Sequence, residues 1–323
     1  MVQTVATRHP SIRFWTRPNQ GAHSTINEGI REARGRYLAI LNSDDLYHAE
    51  RLQRCLGVLE ADPGAAVVAT RISFIDEHDH AIENHWYEEA WAFHEKVGDL
   101  GLALMNGNFL LTTSNIVARR AVFDEVGSFD DLRYAHDLDF FLRLLAQGKA
   151  LTLLPQPLLT YRVHGGNTVS EDPLQLQFET AVIAGLFARQ LGSAKGGSAH
   201  GPQYFSQLLQ VTERNQRALL VALALLYAQR EEAGMLSPGA CLADPAFLSA
   251  LREIQALEAA QGGRAREIEE LRTTVADRDA EVGRLVRELE EMRKQLTYML
   301  DSLSWRFTSP LRAIRERFRP DHR

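Results

Sequence analysis

Cysteine is scarce: Cys55 and Cys241 are the only two in 323 residues. Two isolated thiols exclude a disulfide framework and a thiolate zinc site, and they suit a reducing cytoplasm. Long hydrophobic runs are missing too. The longest, Ala218 to Ala228, is about half the ~20 residues needed to cross a bilayer, so it reads as a packing helix. Met1 to Trp15 lacks the apolar stretch of a signal peptide. Positive charge is not in excess either. The net charge of -6 argues against a general nucleic-acid binder. With 45% apolar and 24% charged residues, the chain has an ordinary globular composition, and its length allows one domain with appendages.

The most informative segment is Tyr37-Leu-Ala-Ile-Leu-Asn-Ser-Asp-Asp-Leu-Tyr47. Residues 37 to 41 read as a short buried strand that ends in a polar turn. Asp44 and Asp45 then sit at the strand's C-terminal mouth, where open α/β sheets bind ligands. Hard oxygen ligands there suit Mg²⁺ or Mn²⁺ carrying a diphosphate. The competing reading has Ser43 and the aspartates cap a helix that starts at 45–50.

The surroundings favour the metal. Asn19-Gln-Gly21 precedes a helix that carries Asn27, and Ala33-Arg-Gly35-Arg-Tyr37 leads into the strand. This order resembles family 2 glycosyltransferases of the GT-A fold, which have an Asn-x-Gly stretch, a helix with a second Asn, an Ala-x-Gly-x-Tyr bridge and an Asp-rich metal motif. The resemblance implies an α/β, Rossmann-like sheet and a nucleotide-sugar donor. It places Asn19, Gly21, Asn27, Asn42 and Asp45 at the substrate. Asn42 stands where the family has its first acid, so Asp44 inherits the metal-ligand role with Asp45 beside it.

Two further blocks follow in family order. Thr113-Ser-Asn-Ile-Val117 leads to Gly127-Ser-Phe-Asp130 and then to Tyr134-Ala-His-Asp-Leu-Asp139. The resemblance makes Asp137 the catalytic base. A carboxylate at a helix N-terminus is kept ionised by the dipole and can accept a proton from a sugar hydroxyl. His136 replaces the commoner Glu as a neutral hydrogen-bonding residue at the substrate. The alternative makes Asp137 an N-cap and Asp139 a first-turn acid. The last block, Tyr161-Arg-Val-His164, resembles the segment that closes the catalytic domain. Arg162 would face the diphosphate and His164 the metal.

The family's opening strand, turn, helix and acid-tipped strand have no counterpart here. Met1 to Pro10 reads as the end of a helix leading into a strand at Ser11-Ile-Arg-Phe-Trp15. The expectation is a sheet that is short at its N-terminal side, with exposed strand edges. That leaves a noncatalytic GT-A remnant acting in assembly as the alternative to an enzyme, and a nucleotidyltransferase as a more distant one.

Residues 174 to 230 read as helices around a loop at Gly192–Pro202. Then Ile268, Val275, Val282, Leu289, Leu296 and Leu303 recur every seventh residue. Leu271, Arg278, Leu285, Met292 and Met299 fill the second core register. This heptad pattern predicts a coiled coil roughly 60 Å long at ~1.5 Å per residue. β-Branched residues at early a positions favour a parallel homodimer, while a helix lying on the globular part is the alternative. Gln261-Gly-Gly263 reads as its hinge. The tail alternates Trp305, Phe307, Leu311, Ile314 and Phe318 with arginines, a pattern for peripheral contact with an anionic membrane. It also resembles tails of glycosyltransferases that build bacterial surface polysaccharides.

The expected organisation is a partial GT-A domain over 1–172, a helical region over 173–260, a coiled coil over 261–304 and a basic amphipathic tail over 305–323. The expected activity is inverting transfer of a sugar to a glycan or lipid-linked acceptor. It would need Mn²⁺ or Mg²⁺ and would occur in the cytoplasm or at a membrane surface.

Overall fold

Ala65–Ile75 (β3) is the spine of the sheet. Ala65, Val67, Val68, Ala69, Ile72 and Phe74 along it are all buried, the near-continuous apolar run expected of a strand covered on both faces. In the computed structural model, which describes residues 8–9, 11–167, 171–193, 202–214, 217–230 and 237–301, β3 pairs in parallel with Ala150–Arg162 (β6). Their register shifts where Pro157 lies opposite Arg71, because proline has no N–H for the ladder. The remaining strands are Tyr37–Ala39 (β1), Leu46–Tyr47 (β2), Ala81–Ile82 (β4) and Val117–Arg119 (β5). The order is β1-β5-β3-β6-β2, with β4 paired to the end of β3. The fold is mixed α/β, as the motifs imply.

Strands β1 and β2 lie at opposite ends of that order, so residues 40–45 carry Asn42, Asp44 and Asp45 from one side of the sheet to the other. The strand expected at Ser11–Trp15 does not form; residues 12–20 are irregular. A strand needs a neighbour to take its N–H and C=O groups, and among the described residues β1 has a partner only in β5. Side chains hold this segment instead. Arg13 pairs with Glu32, Trp15 donates to Glu28 at 3.0 Å, and Arg17 pairs with Glu28 at 2.5 Å. All of these carboxylates lie on Ala22–Glu32 (α1). The helix end expected over residues 1–10 falls almost wholly outside the described residues.

Arg51–Ala61 (α2) packs Cys55 and Leu59 against Ala65, Val68 and Val117. His85–Val97 (α3) and Leu100–Asn106 (α4) are capped by Asn84, which accepts from Tyr87 N at 3.0 Å, and Asp99, which accepts from Leu102 N at 2.7 Å. A single 3₁₀ turn, Thr113–Asn115, precedes β5. Ala121–Glu125 (α5) and His136–Ala146 (α6) follow. The helical region comprises Pro173–Ser193 (α7), Pro202–Arg214 (α8), Ala218–Arg230 (α9) and Pro238–Ala243 (α10). The apolar run of α9 is a packing helix, with Leu220, Val221, Ala224 and Ala228 buried. It crosses α7 so closely that a Cβ on Gly185 would stand 2.8 Å from the Ala224 methyl. Most of the loop expected at Gly192–Pro202 lies outside the described residues.

The chain divides into two compact units after Ala256. Pro245–Asp301 (α11) is one continuous helix. It opens on the signal expected of a helix start, Asp244 accepting from Ala246 N at 2.9 Å. The hinge expected at Gln261-Gly-Gly263 is absent, since the backbone is helical through those residues. Helix hydrogen bonds tolerate glycine at about 1 kcal/mol each. The basic tail over 305–323 lies outside the described residues. No helix among the described residues is long and apolar enough to cross a membrane.

One buried cation ties these layers together. Arg51 is fully buried and donates to the Thr70 hydroxyl, to the Ser114 carbonyl at 3.3 Å and to Asn115 Oδ1 at 3.0 Å. Its guanidinium also lies 4.7 Å from the Tyr47 ring centroid. Asn115 in turn accepts from Thr70 N at 2.9 Å and donates to Thr70 O at 3.0 Å. Asn115→Ala therefore leaves several buried polar groups unpaired. We expect a stability loss of about 3 kcal/mol or more, measured as a lower denaturant midpoint at unchanged slope.

Candidate functional site

The 40–45 segment places its polar side chains by using the 3₁₀ turn as a mould. Asn42 N donates to Ser114 Oγ at 2.9 Å, Asn42 Nδ2 donates to the Thr112 hydroxyl at 3.0 Å, and the Thr113 hydroxyl donates to Asn42 Oδ1 at 3.2 Å. Asn42 is thereby held as part of the turn. Asp45 is buried and accepts from the Thr112 hydroxyl at 3.2 Å and from Arg162 N at 3.3 Å. Burial raises its carboxyl above the ordinary range, and the neighbouring Asp44 adds to the rise. Neither aspartate caps a helix. Strand β2 intervenes, and α2 starts at Arg51 with no side-chain cap.

Asp44 faces the other way. Its Oδ2 lies 3.2 Å from His164 Nε2, and both side chains are partly open to solvent. Among the described residues no cluster of three or more His, Cys, Asp or Glu side chains is arranged to hold a metal; Asp44 and His164 form a pair. Arg162 backs this pair. Its guanidinium donates to Asp44 O at 3.2 Å and to Asp76 O at 3.0 Å, and pairs with Asp79 at 2.7 Å.

Asp137 lies in the first turn of α6, buried, with Oδ1 accepting from Leu138 N at 2.8 Å. Its Oδ2 accepts from Asn108 Nδ2 at 3.1 Å. The loop that leads into this helix is held from elsewhere. Glu179 on α7, itself buried, accepts from Arg133 N at 3.1 Å, Tyr134 N at 2.9 Å and Ala135 N at 2.8 Å. Asp139 pairs with Arg143 at 2.8 Å, and Arg143 also donates to the Val126 and Ser128 carbonyls, which fixes the turn at Gly127 with its φ of 91°. Asn27 clamps the backbone of Phe129, accepting from its N–H at 3.0 Å and donating to its C=O at 2.8 Å. Asn19 accepts from Gly21 N at 2.9 Å, a local turn. Gly21 has a φ of 87°, which only glycine adopts at little cost.

The carboxylates share one neighbour. The Tyr161 phenol is pushed up to about 12, chiefly by burial, with Asp45, Asp44 and Asp137 each adding to the rise. The Tyr161 hydroxyl itself accepts from Asn167 Nδ2 at 3.1 Å. Asn108, Glu179 and His23 carry no motif that sequence reasoning could use, and Tyr161 falls in the block ending at His164 with no role of its own assigned there. His23 lies 3.0 Å from Asp131, and its ring centroid is 6.4 Å from that of His136.

His136 is buried, and its Nδ1 has no partner among the described residues. Burial lowers its pKa; the Asp137 charge opposes this and His23 reinforces it. The native state therefore holds His136 neutral at pH values where the unfolded chain binds a proton, below about 6.5. Its stabilising contribution is present above that value and is lost as pH falls toward the lowered folded pKa. Unfolding titrations from pH 7 to 5 should show wild type losing stability relative to His136→Gln.

The family model for glycosyl transferase family 2 matches residues 1–127. An uncharacterized glycosyltransferase of Rickettsia typhi is 25% identical over 244 residues, covering 72% of this chain and 73% of that one. The chondroitin synthase of Escherichia coli is 27% identical over 148 residues, 46% of this chain and 20% of the synthase. Among solved structures, a mannosyltransferase of Pyrobaculum calidifontis in complex with GDP-Man and Mn²⁺ has 17% identity and a TM-score of 0.40, covering 81% of this chain and 70% of that one. With the ordered motifs and the α/β sheet that carries them, residues 1–127 match glycosyl transferase family 2, and the chain is similar over 72% of its length to a relative named as a glycosyltransferase.

Proposed function

We propose that this glycosyltransferase moves a sugar, with inversion, from a nucleoside-diphosphate sugar to a hydroxyl of a glycan or lipid-linked acceptor, in the synthesis of a bacterial surface polysaccharide. The observation that carries the reading is the pairing of Asp44 with His164, with Asp137 held by Asn108 on the same stretch of chain whose Thr112 holds Asn42 and Asp45. In this reading residues 1–172 perform transfer, 173–260 brace the site, 261–304 join a second copy of the chain, and 305–323 touch the membrane from the cytoplasm.

The residues present fit a divalent ion. Asp44 offers a carboxylate oxygen and His164 an imidazole nitrogen 3.2 Å away, both partly open to solvent. Those two side chains would hold Mn²⁺ or Mg²⁺. When bound, the ion supplies Lewis acidity at the departing diphosphate. Asn42 and Asp45 fix the turn that presents Asp44. Arg162 braces the same turn from behind, with its guanidinium on Asp44 O, Asp76 O and Asp79.

Asp137 takes the proton of the acceptor hydroxyl as that oxygen bonds to the anomeric carbon. The bond from that carbon to the diphosphate oxygen breaks on the opposite side, and its electron pair leaves with the nucleoside diphosphate. Asn108 holds one Asp137 oxygen and the Leu138 N–H holds the other, so the base is oriented before the acceptor arrives. His136 stays neutral beside it.

Calorimetric titration with UDP, GDP and dTDP, with and without Mn²⁺, tests the donor half. Asp44→Ala and His164→Ala should each weaken metal-dependent binding by at least about tenfold. Asp137→Asn should bind donor normally, while its release of nucleoside diphosphate in acceptor-bearing membrane extract falls about 10²–10⁴-fold. Normal turnover by Asp137→Asn would defeat the assignment of the base.

A further inference from the structure

From Ile268 to Leu296 the apolar a and d side chains of α11 stand 52–64 % exposed. They form a stripe along one face of a helix whose second unit, from Leu257 on, holds no other described element. We propose that this stripe closes against a second copy of the chain as a parallel, in-register, two-stranded coil whose alignment is set by Arg278. The proposal deepens the self-association part of the functional reading and is independent of the sugar chemistry.

Three observations fix the occupant and its direction. First, Ile268, Val275 and Val282 at a, with Leu271 and Leu285 at d, are the pairing that favours two parallel strands over trimers or tetramers. Second, from Ile268 to Leu296 the flanking residues put one opposite-charge pair and no like-charge pair across a parallel coil, since Thr274 meets Asp279 and Glu281 meets Val286. There a g residue meets the next heptad's e residue of its partner, which sets Glu288 against Arg293. An antiparallel pair brings g against g, where Glu281 and Glu288 would oppose glutamates. Third, Arg278 breaks the d register. It is largely exposed and pairs with Glu281 at 3.1 Å.

In register, Arg278 of each copy meets the same residue of the other in one polar layer, flanked by Asp279 at e and Glu281 at g. A slip of one heptad would press each arginine against Leu271 or Leu285, making two mismatched layers and leaving both charges over apolar surface. A lone polar core position sets register in this way at a cost in stability. By chain connectivity, a parallel coil also brings the two N-terminal units to its same end.

The test uses the full chain. Sedimentation equilibrium at micromolar concentration should give a dimer, and Leu285→Asp should give a monomer with its N-terminal unit still folded. Ile268→Cys reports direction. Cys55 and Cys241 are buried, so under mild oxidation the new thiol should link identical positions into a covalent dimer. Arg278→Leu should tighten dimerisation at least tenfold. A monomeric wild type, a trimer or tetramer, a dimer in which Ile268→Cys fails to cross-link, or weaker association of Arg278→Leu would each overturn the proposal.

Discussion

The buried guanidinium of Arg51 is the contact on which the site depends. A charge removed from water needs its donors satisfied by fixed acceptors. Here the acceptors for its two terminal nitrogens, on β3 and the 3₁₀ turn, are neutral: the Thr70 hydroxyl, the Ser114 carbonyl and the Asn115 side-chain oxygen, while Nε has no partner among the described residues. The Tyr47 ring covers the cation, and the Tyr47 hydroxyl donates to the Ile40 and Ser114 carbonyls. One side chain therefore sets the spacing between the central strand, the turn before β5 and the chain on both sides of the aspartates. The presentation of Asp44 follows from that spacing.

A single stretch, Asn108 to Asn115, then joins the two halves of the site. At one end Asn108 holds Asp137; in the middle Thr112, Thr113 and Ser114 hold Asn42 and Asp45; at the other end Asn115 locks to Thr70. Leu111, inside the stretch, sits at a φ of 63°. For a residue with a bulky side chain that conformation costs about 1–3 kcal/mol and persists only where neighbours over-determine it. The hydrogen bonds on both sides of Leu111 are those neighbours. The strain lies between the part of the stretch that holds Asn42 and Asp45 and the part that holds Asp137, so the spacing of the two is built into the backbone.

The parts of this arrangement that were legible in the sequence are local ones. A strand running into Asn42-Ser-Asp-Asp45, a helix opening on His136-Asp137 and a strand ending at Arg162 each announce themselves by residue type and spacing over a few positions. The heptad stripe does so by periodicity. What could not be read is which oxygen of each motif faces inward. Asp44 and Asp45 are adjacent and alike in sequence, yet Asp45 is consumed by Thr112 and the Arg162 backbone while Asp44 meets His164. Asn27 matched a substrate-contacting position and is found clamping Phe129. The failed strand at Ser11–Trp15 has the same cause: β-propensity is local, whereas strand formation depends on a partner elsewhere in the chain.

Glu179 shows that the helical region belongs to the site. Helix α6 begins at His136 with no side-chain cap on its N-cap residue, and the N–H groups of Arg133, Tyr134 and Ala135 in the loop just ahead of it need acceptors from outside the loop. A carboxylate from α7 accepts all three, two residues before the proposed base. A second tie runs from Asp130 Oδ2, which accepts from Gly239 N of α10 at 2.7 Å. A Cβ on Gly239 would stand 2.8 Å from the Asp131 carbonyl, so only glycine allows the approach. The loop that delivers Asp137 is therefore pinned from α7 and α10, so hydrogen bonds that support the start of α6 cross residue 172.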